Sequence, residues 1–322
     1  MQVNVVSGIG LIEGDQECLF IPDLDNYYEQ YLYEKVRDKV GIHRWQLHQF
    51  SQTRFKGHLD AVESAFNNAI KDAGLHRKIN KKMSQRVGVI YFDMHGPVSY
   101  FQKDAQIKEM YYSDVFPSFL LNTHNISGYS VRLRGERNVG FEAIELANTL
   151  IDSGTLDVVI VGGVFQSNPY LFLSDALDDQ KWAKDNYKMK AFEHDSLRNL
   201  QEASGFMVIE SKASCEGRKL IPKLYLNDLS SNEPLELKDR NCQHVVGLFP
   251  DAVCHAGELN KLEKSVREKS FSFSDKYYDS GCINLIKVIR NHINEKDDDK
   301  MSNSICVHSI DRNGFDWHLQ FN

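Results

Sequence analysis

Short runs of apolar, often β-branched residues alternate along this chain with stretches whose apolar positions recur every three to four residues. That alternation predicts an α/β architecture. The first run, 3–6, ends at Ser7-Gly8-Ile9-Gly10. A helix is predicted over 59–73, where Val62, Ala65, Phe66, Ala69, Ile70 and Ala73 form one stripe. Gly74 stands where a left-handed cap is wanted. A buried strand follows at 86–92, then a helix running from Phe116 into Arg132. The next helix, 139–151, puts Ala143, Ile144, Ala147, Leu150 and Ile151 on one face and stops at Ser153-Gly154. Strand 157–161 is nearly all apolar, as expected of a strand covered on both faces.

The second half has the same texture. Strands are predicted at 205–210, 222–227, 244–248 and 304–309, and helices at 257–268 and 281–294. At the end, Phe315, Trp317, Leu319 and Phe321 alternate with Asp316, His318 and Gln320, which predicts a half-buried antiparallel strand. Helix 139–151 followed by strand 157–161 has a counterpart in helix 281–294 followed by strand 304–309. The pair hints at two related α/β halves, placed at 1–210 and 211–322 in one integrated double domain.

Composition narrows the function. The 322 residues are 42% hydrophobic and 26% charged, ordinary for a globular protein with a large core. A net charge of -7 with scattered basic residues argues against a nucleic-acid partner. Residues 1–10 lack the basic start and long apolar run of a signal peptide. The apolar stretch at 156–165 is far short of the roughly 20 residues that span a bilayer. A cytoplasmic protein with no membrane span is expected. Cys18, Cys215, Cys242, Cys254, Cys282 and Cys306 are dispersed with no CxxC pair, so free thiols in a reducing compartment are expected, with no metal and no cofactor. Gly8-Ile9-Gly10 and Gly162-Gly163 are not dinucleotide fingerprints and are read as sites of close backbone packing.

Several segments in order resemble the β-ketoacyl synthases. They are Val-Val-Ser-Gly-Ile-Gly at 5–10, Arg-Val-Gly-Val-Ile at 86–90, Asn-Thr-His-Asn-Ile-Ser-Gly at 122–128 and Leu133-Arg134-Gly135. Then come Asp-Val-Val-Ile-Val-Gly-Gly at 157–163, Ala-Phe-Glu-His-Asp at 191–195 and Gln-Glu-Ala-Ser-Gly-Phe-Met-Val-Ile-Glu at 201–210. The resemblance implies a thiolase fold, five-layered αβαβα with duplicated halves, here with a compact C-terminal half. It also implies dimers whose strands and helices meet beside the active site.

In active members a Leu-x-Gly-Pro stretch leads through a buried strand to Thr-Ala-Cys-x-x-Gly. That cysteine sits at a helix N-terminus, where the dipole favours the thiolate. No cysteine lies between Cys18 and Cys215 here. Arg-Gly-Glu-Arg-Asn at 134–138 runs almost directly into Val139-Gly140-Phe141, so the nucleophile strand and its cysteine are read as deleted, a loss of about seven residues relative to the family motif. Of two family histidines, His255 in Val-Cys-His-Ala-Gly stands one place early, and the second has no counterpart in Asp-Lys-Tyr-Tyr-Asp-Ser-Gly at 275–281.

The resemblance therefore implies no catalytic residue and a chain-length-factor role, with 122–128 similar to the synthase-like subunits of aryl-polyene clusters. Such a chain forms a heterodimer with an active β-ketoacyl synthase and bounds its acyl tunnel. Phe116, Phe119, Leu120, Asn122, His124 and Asn125 are the interface and tunnel candidates, although aromatics at helical spacing equally suit plain core. Arg132, Arg134 and Arg137 are candidate contacts for an acidic acyl carrier protein, or a solvated face. The alternative is an independent acyl-thioester hydrolase or decarboxylase using His255.

Overall fold

A computed structural model describes residues 3–14, 46–48, 54–75, 79, 81–94, 118–135, 138–165, 199–231, 244–248, 270–272, 280–297, 304–310 and 316–322. The strands are β1 (Asn4–Glu13), β2 (Gln46–His48), β3 (Val87–Met94), β4 (Ser130–Gly135), β5 (Val158–Phe165), β6 (Asn199–Gln201), β7 (Ala203–Ser211), β8 (Leu224–Ser231), β9 (His244–Leu248), β10 (Ser270–Ser272), β11 (Ile305–Ile310) and β12 (Asp316–Phe321). The helices are α1 (Arg54–Asp72), α2 (Lys81–Ser84), α3 (Ser118–Thr123), α4 (Val139–Asp152), α5 (Lys212–Gly217) and α6 (Asn284–Asp297), the last entered through a 3-10 turn at Gly281–Ile283.

Ten strands form one sheet in the order β10-β9-β11-β12-β8-β1-β7-β5-β3-β4. This order repeats itself about the β8–β1 seam. Outward from the seam on one side come β1, β7, β5, β3 and β4, and on the other β8, β12, β11, β9 and β10. In each half the second strand from the seam is antiparallel to both neighbours and the outer three are mutually parallel. The helix–strand pair α4–β5 and the pair α6–β11 occupy the same place in the two halves. The duplication hinted at by the sequence is thus present in the topology.

The halves sandwich two helices. One face of the β1–β7–β5–β3 sheet packs Val87, Val89, Tyr91, Val158, Ile160, Phe206 and Val208 against Val62, Ala65, Phe66, Ala69 and Ile70 of α1. Its other face, with Ile90, Phe92, Val159, Val161, Met207 and Ile209, meets the apolar side of α4 and α6. Ile305, Val307, Leu319 and Phe321 of the second half close that core from beyond the helices. Phe141 of α4 and Trp317 of β12 join across it with ring centroids 6.0 Å apart.

Glycines make the α1 contact possible. A Cβ on Gly10 would fall 2.1 Å from the Ala65 carbonyl oxygen, and one on Gly8 would fall 2.5 Å from that of Ala69. The small residues on α1 and the bare backbone of β1 are one joint, as the sequence reading supposed. Gly10→Ala is therefore expected to lower the denaturation midpoint by an overpacking cost of about 1–3 kcal/mol. An unchanged urea midpoint would contradict the contact.

Two expectations are corrected here. The helix from Phe116 into Arg132 is not continuous: α3 ends at Thr123 and the chain turns through Asn125, whose φ is +52°. Residues Ser130–Gly135 then form β4, parallel to β3 with Phe92 opposite Leu133. The alternation Ser-Val-Arg-Leu-Arg has the period of a strand, and an asparagine in the left-handed region ends the helix. The cysteines are also not all free: Cys306 of β11 is disulfide-bonded, while Cys215 and Cys282 are free and buried. Thiol state thus ceases to argue for a reducing compartment. The predicted helix over 257–268 lies outside the described residues. Among the described residues no helix is long and apolar enough to cross a membrane.

Candidate functional site

The site is built where the two central helices begin. β4 runs out at Gly135 and α4 starts at Val139. The 3-10 turn that opens α6 comes up beside it. A Cβ on Gly140 would lie 3.5 Å from the Cys282 carbonyl oxygen and 3.6 Å from Cζ of Phe92. The two helix starts thus come within van der Waals reach of each other at Gly140. The Asn138 side chain does not cap α4; its Oδ1 accepts from the Ser309 hydroxyl on β11, tying the first half to the second. Both residues are buried.

This geometry overturns the reading that the nucleophile strand is deleted. Strand β4 occupies the third parallel position of the first half, and the central helix α4 begins four residues after it ends. The sequence between them, Glu136-Arg137-Asn138, holds no cysteine. Mistaking β4 for the end of a helix is what made the strand look absent.

Around the start of α6 lies a polar cluster that sequence reasoning missed. Lys287 is buried and donates to Oε1 of Gln201 (2.7 Å), contacts Oγ of Ser280 (3.4 Å) and pairs with Glu13. The Ser280 N–H donates to Oδ1 of Asn284 (2.6 Å) and Gln201 Nε2 donates to the Gly14 carbonyl (2.9 Å). These bonds join the ends of β1 and β6 to α6. A lysine within an apolar helical stripe was the available signal. Cys282 is fully buried, and its thiol donates to the Val164 carbonyl (3.6 Å).

The tunnel candidates fall on α3 and its exit. Leu120 is buried in the core shared with α1, Phe119 packs on that core, and Asn122 and Asn125 are exposed. His124 and Asn125 sit just past the end of α3, where the sequence predicted the middle of a longer helix. The His124 ring packs on Phe66 with centroids 5.3 Å apart, and its Nε2 bonds Oδ1 of Asn67 (2.7 Å). Burial holds the His124 imidazole below its ordinary value, with Glu63 pulling weakly the other way. As pH falls through the ordinary histidine value of about 6.5, the unfolded chain therefore takes up a proton that the folded chain resists. Stability present above that value is lost on acidification. His124→Gln is expected to flatten part of the fall in denaturation midpoint between about pH 7 and pH 5.5; equal slopes for both proteins would contradict it.

Of the arginine candidates, Arg132 and Arg134 stand on β4. Arg132 Nε donates to Oδ2 of Asp93 (2.6 Å), an aspartate with no exposed surface. Arg134 Nε lies 3.7 Å from the other carboxylate oxygen, with its side chain 48% exposed. Burial, with Asp93 nearby, pushes the neighbouring Tyr91 phenol upward. Phe116, Arg137 and His255 lie outside the described residues.

The architecture is the thiolase fold: two α/β halves related by duplication, stacked on a shared pair of helices. The same fold is seen in OleA of Xanthomonas campestris bound with cerulenin, at TM-score 0.60 and 12% identity over 99% of this chain and 96% of that one. It is seen equally in the AntDE:AntF complex, a type II PKS acyl-carrier protein with its ketosynthase bound to the hexaketide. That match has a TM-score of 0.61 and 15% identity over 100% of this chain and 99% of the other. No family model and no curated protein matches the sequence.

Proposed function

We propose that this chain is a non-catalytic, ketosynthase-like subunit. It pairs with an active β-ketoacyl synthase and shapes that enzyme's acyl tunnel in polyketide, aryl-polyene or fatty-acid-like biosynthesis. One observation carries the reading: strand β4 ends at Gly135, central helix α4 begins at Val139, and the sequence between them, Glu136-Arg137-Asn138, supplies no cysteine. Acyl transfer through a thioester needs a thiolate at such a helix start, with backbone N–H groups to hold the oxyanion. A chain that keeps the frame without the thiol contributes geometry to a neighbour's site.

Pairing has a ready location. β4 is an end strand of the ten-stranded order and ends four residues before α4 begins. An edge strand is a template for another chain. Phe116, Phe119, Leu120, Asn122, His124 and Asn125, on or beside α3, are the proposed wall of the shared tunnel. Proposed carrier-protein contacts centre on Arg134 and Arg137, since Arg132 is turned onto Asp93. The proposed cytoplasmic location follows that of the partner synthase.

Thioester condensation by the purified chain, by the synthase and by the pair is the test. The reading expects no turnover from this chain alone. It expects full product from the pair, with longer products when Phe119→Ala opens the wall. Turnover of malonyl thioesters by this chain alone, abolished by His255→Ala, would replace it with the hydrolase or decarboxylase reading.

A further inference from the structure

We draw no further inference here: the strongest candidate, the buried side-chain cluster around Lys287 at the start of α6, belongs to the site already described, its ammonium being held within the chain by Glu13, Gln201 and Ser280.

Discussion

Arg218→Ala is expected to lower the unfolding free energy by about 3–5 kcal/mol, the cost of stranding a buried charge. Glu210 sits near the end of β7 with β1 on one side and β5 on the other, and no part of it reaches solvent. Arg218, in the turn after α5, answers both of its carboxylate oxygens, one of them at 2.6 Å. The same guanidinium reaches Oγ of Ser214 (3.3 Å) and the Ala73 carbonyl at the end of α1 (3.5 Å). One side chain thus ties β7, α5 and the outer helix together. The turn is set up locally: Ser211 caps α5 by accepting from the Ser214 N–H (3.1 Å). Arg218→Lys keeps the charge and loses the two-pronged geometry, so an intermediate loss is expected. In the double variant Glu210→Gln, Arg218→Met no charge is left buried, and the loss is smaller than in Arg218→Ala. Urea midpoints of the four proteins at pH 7 rank these losses. A loss below about 1 kcal/mol in Arg218→Ala would contradict the buried pair.

The second large effect is one of location. In the assembled pair, replacing the synthase's nucleophilic cysteine is expected to reduce condensation roughly a thousandfold or more. Cys282→Ala in this chain is expected to leave the rate within about twofold, since no acyl group is carried there. Cys282 is a buried thiol in the turn that opens the central helix α6. It is fully buried and its S–H donates to the Val164 carbonyl, whereas a nucleophilic cysteine must be reached by its substrate. Rates with saturating carrier-bound substrate, together with mass mapping of the acylated cysteine, check this. An acyl group found on this chain would contradict it.

The parts of the fold legible in the sequence are those where period and burial agree. The stripe from Val62 to Ala73 gives α1, and the strand predicted over 157–161 falls on β5 from Val158 onward, buried on both faces. The likeness of 139–161 to 281–309 reflects a real repeat, because the two central helices face the same demand: apolar on both sides, between two sheets. β4 was not legible. Its core face is only Val131 and Leu133, and the arginines of its other face are held by Asp93, nearly 40 residues earlier in sequence. The signal that separates it from α3 is Asn125-Ile126-Ser127-Gly128, in which only Asn125 takes a positive φ. Reading through that break cost the nucleophile strand its place. The last strand reads as half-buried, yet His318 is 4% exposed and faces His308 with ring centroids 4.6 Å apart. Alternation places His318 on the second face; what covers that face is tertiary. The Lys287 cluster was hidden for the same reason, since its partners come from β1, β6 and the turn before α6.

The central claim, that this chain acts as one half of a synthase, is tested most directly by the mass of what it assembles with. The chain is co-expressed with a candidate partner ketosynthase, with an affinity tag on this chain alone, and the eluate is weighed by native mass spectrometry. The account predicts a one-to-one complex of this chain with the untagged synthase. Recovery of this chain alone, folded and free of the synthase, would contradict it.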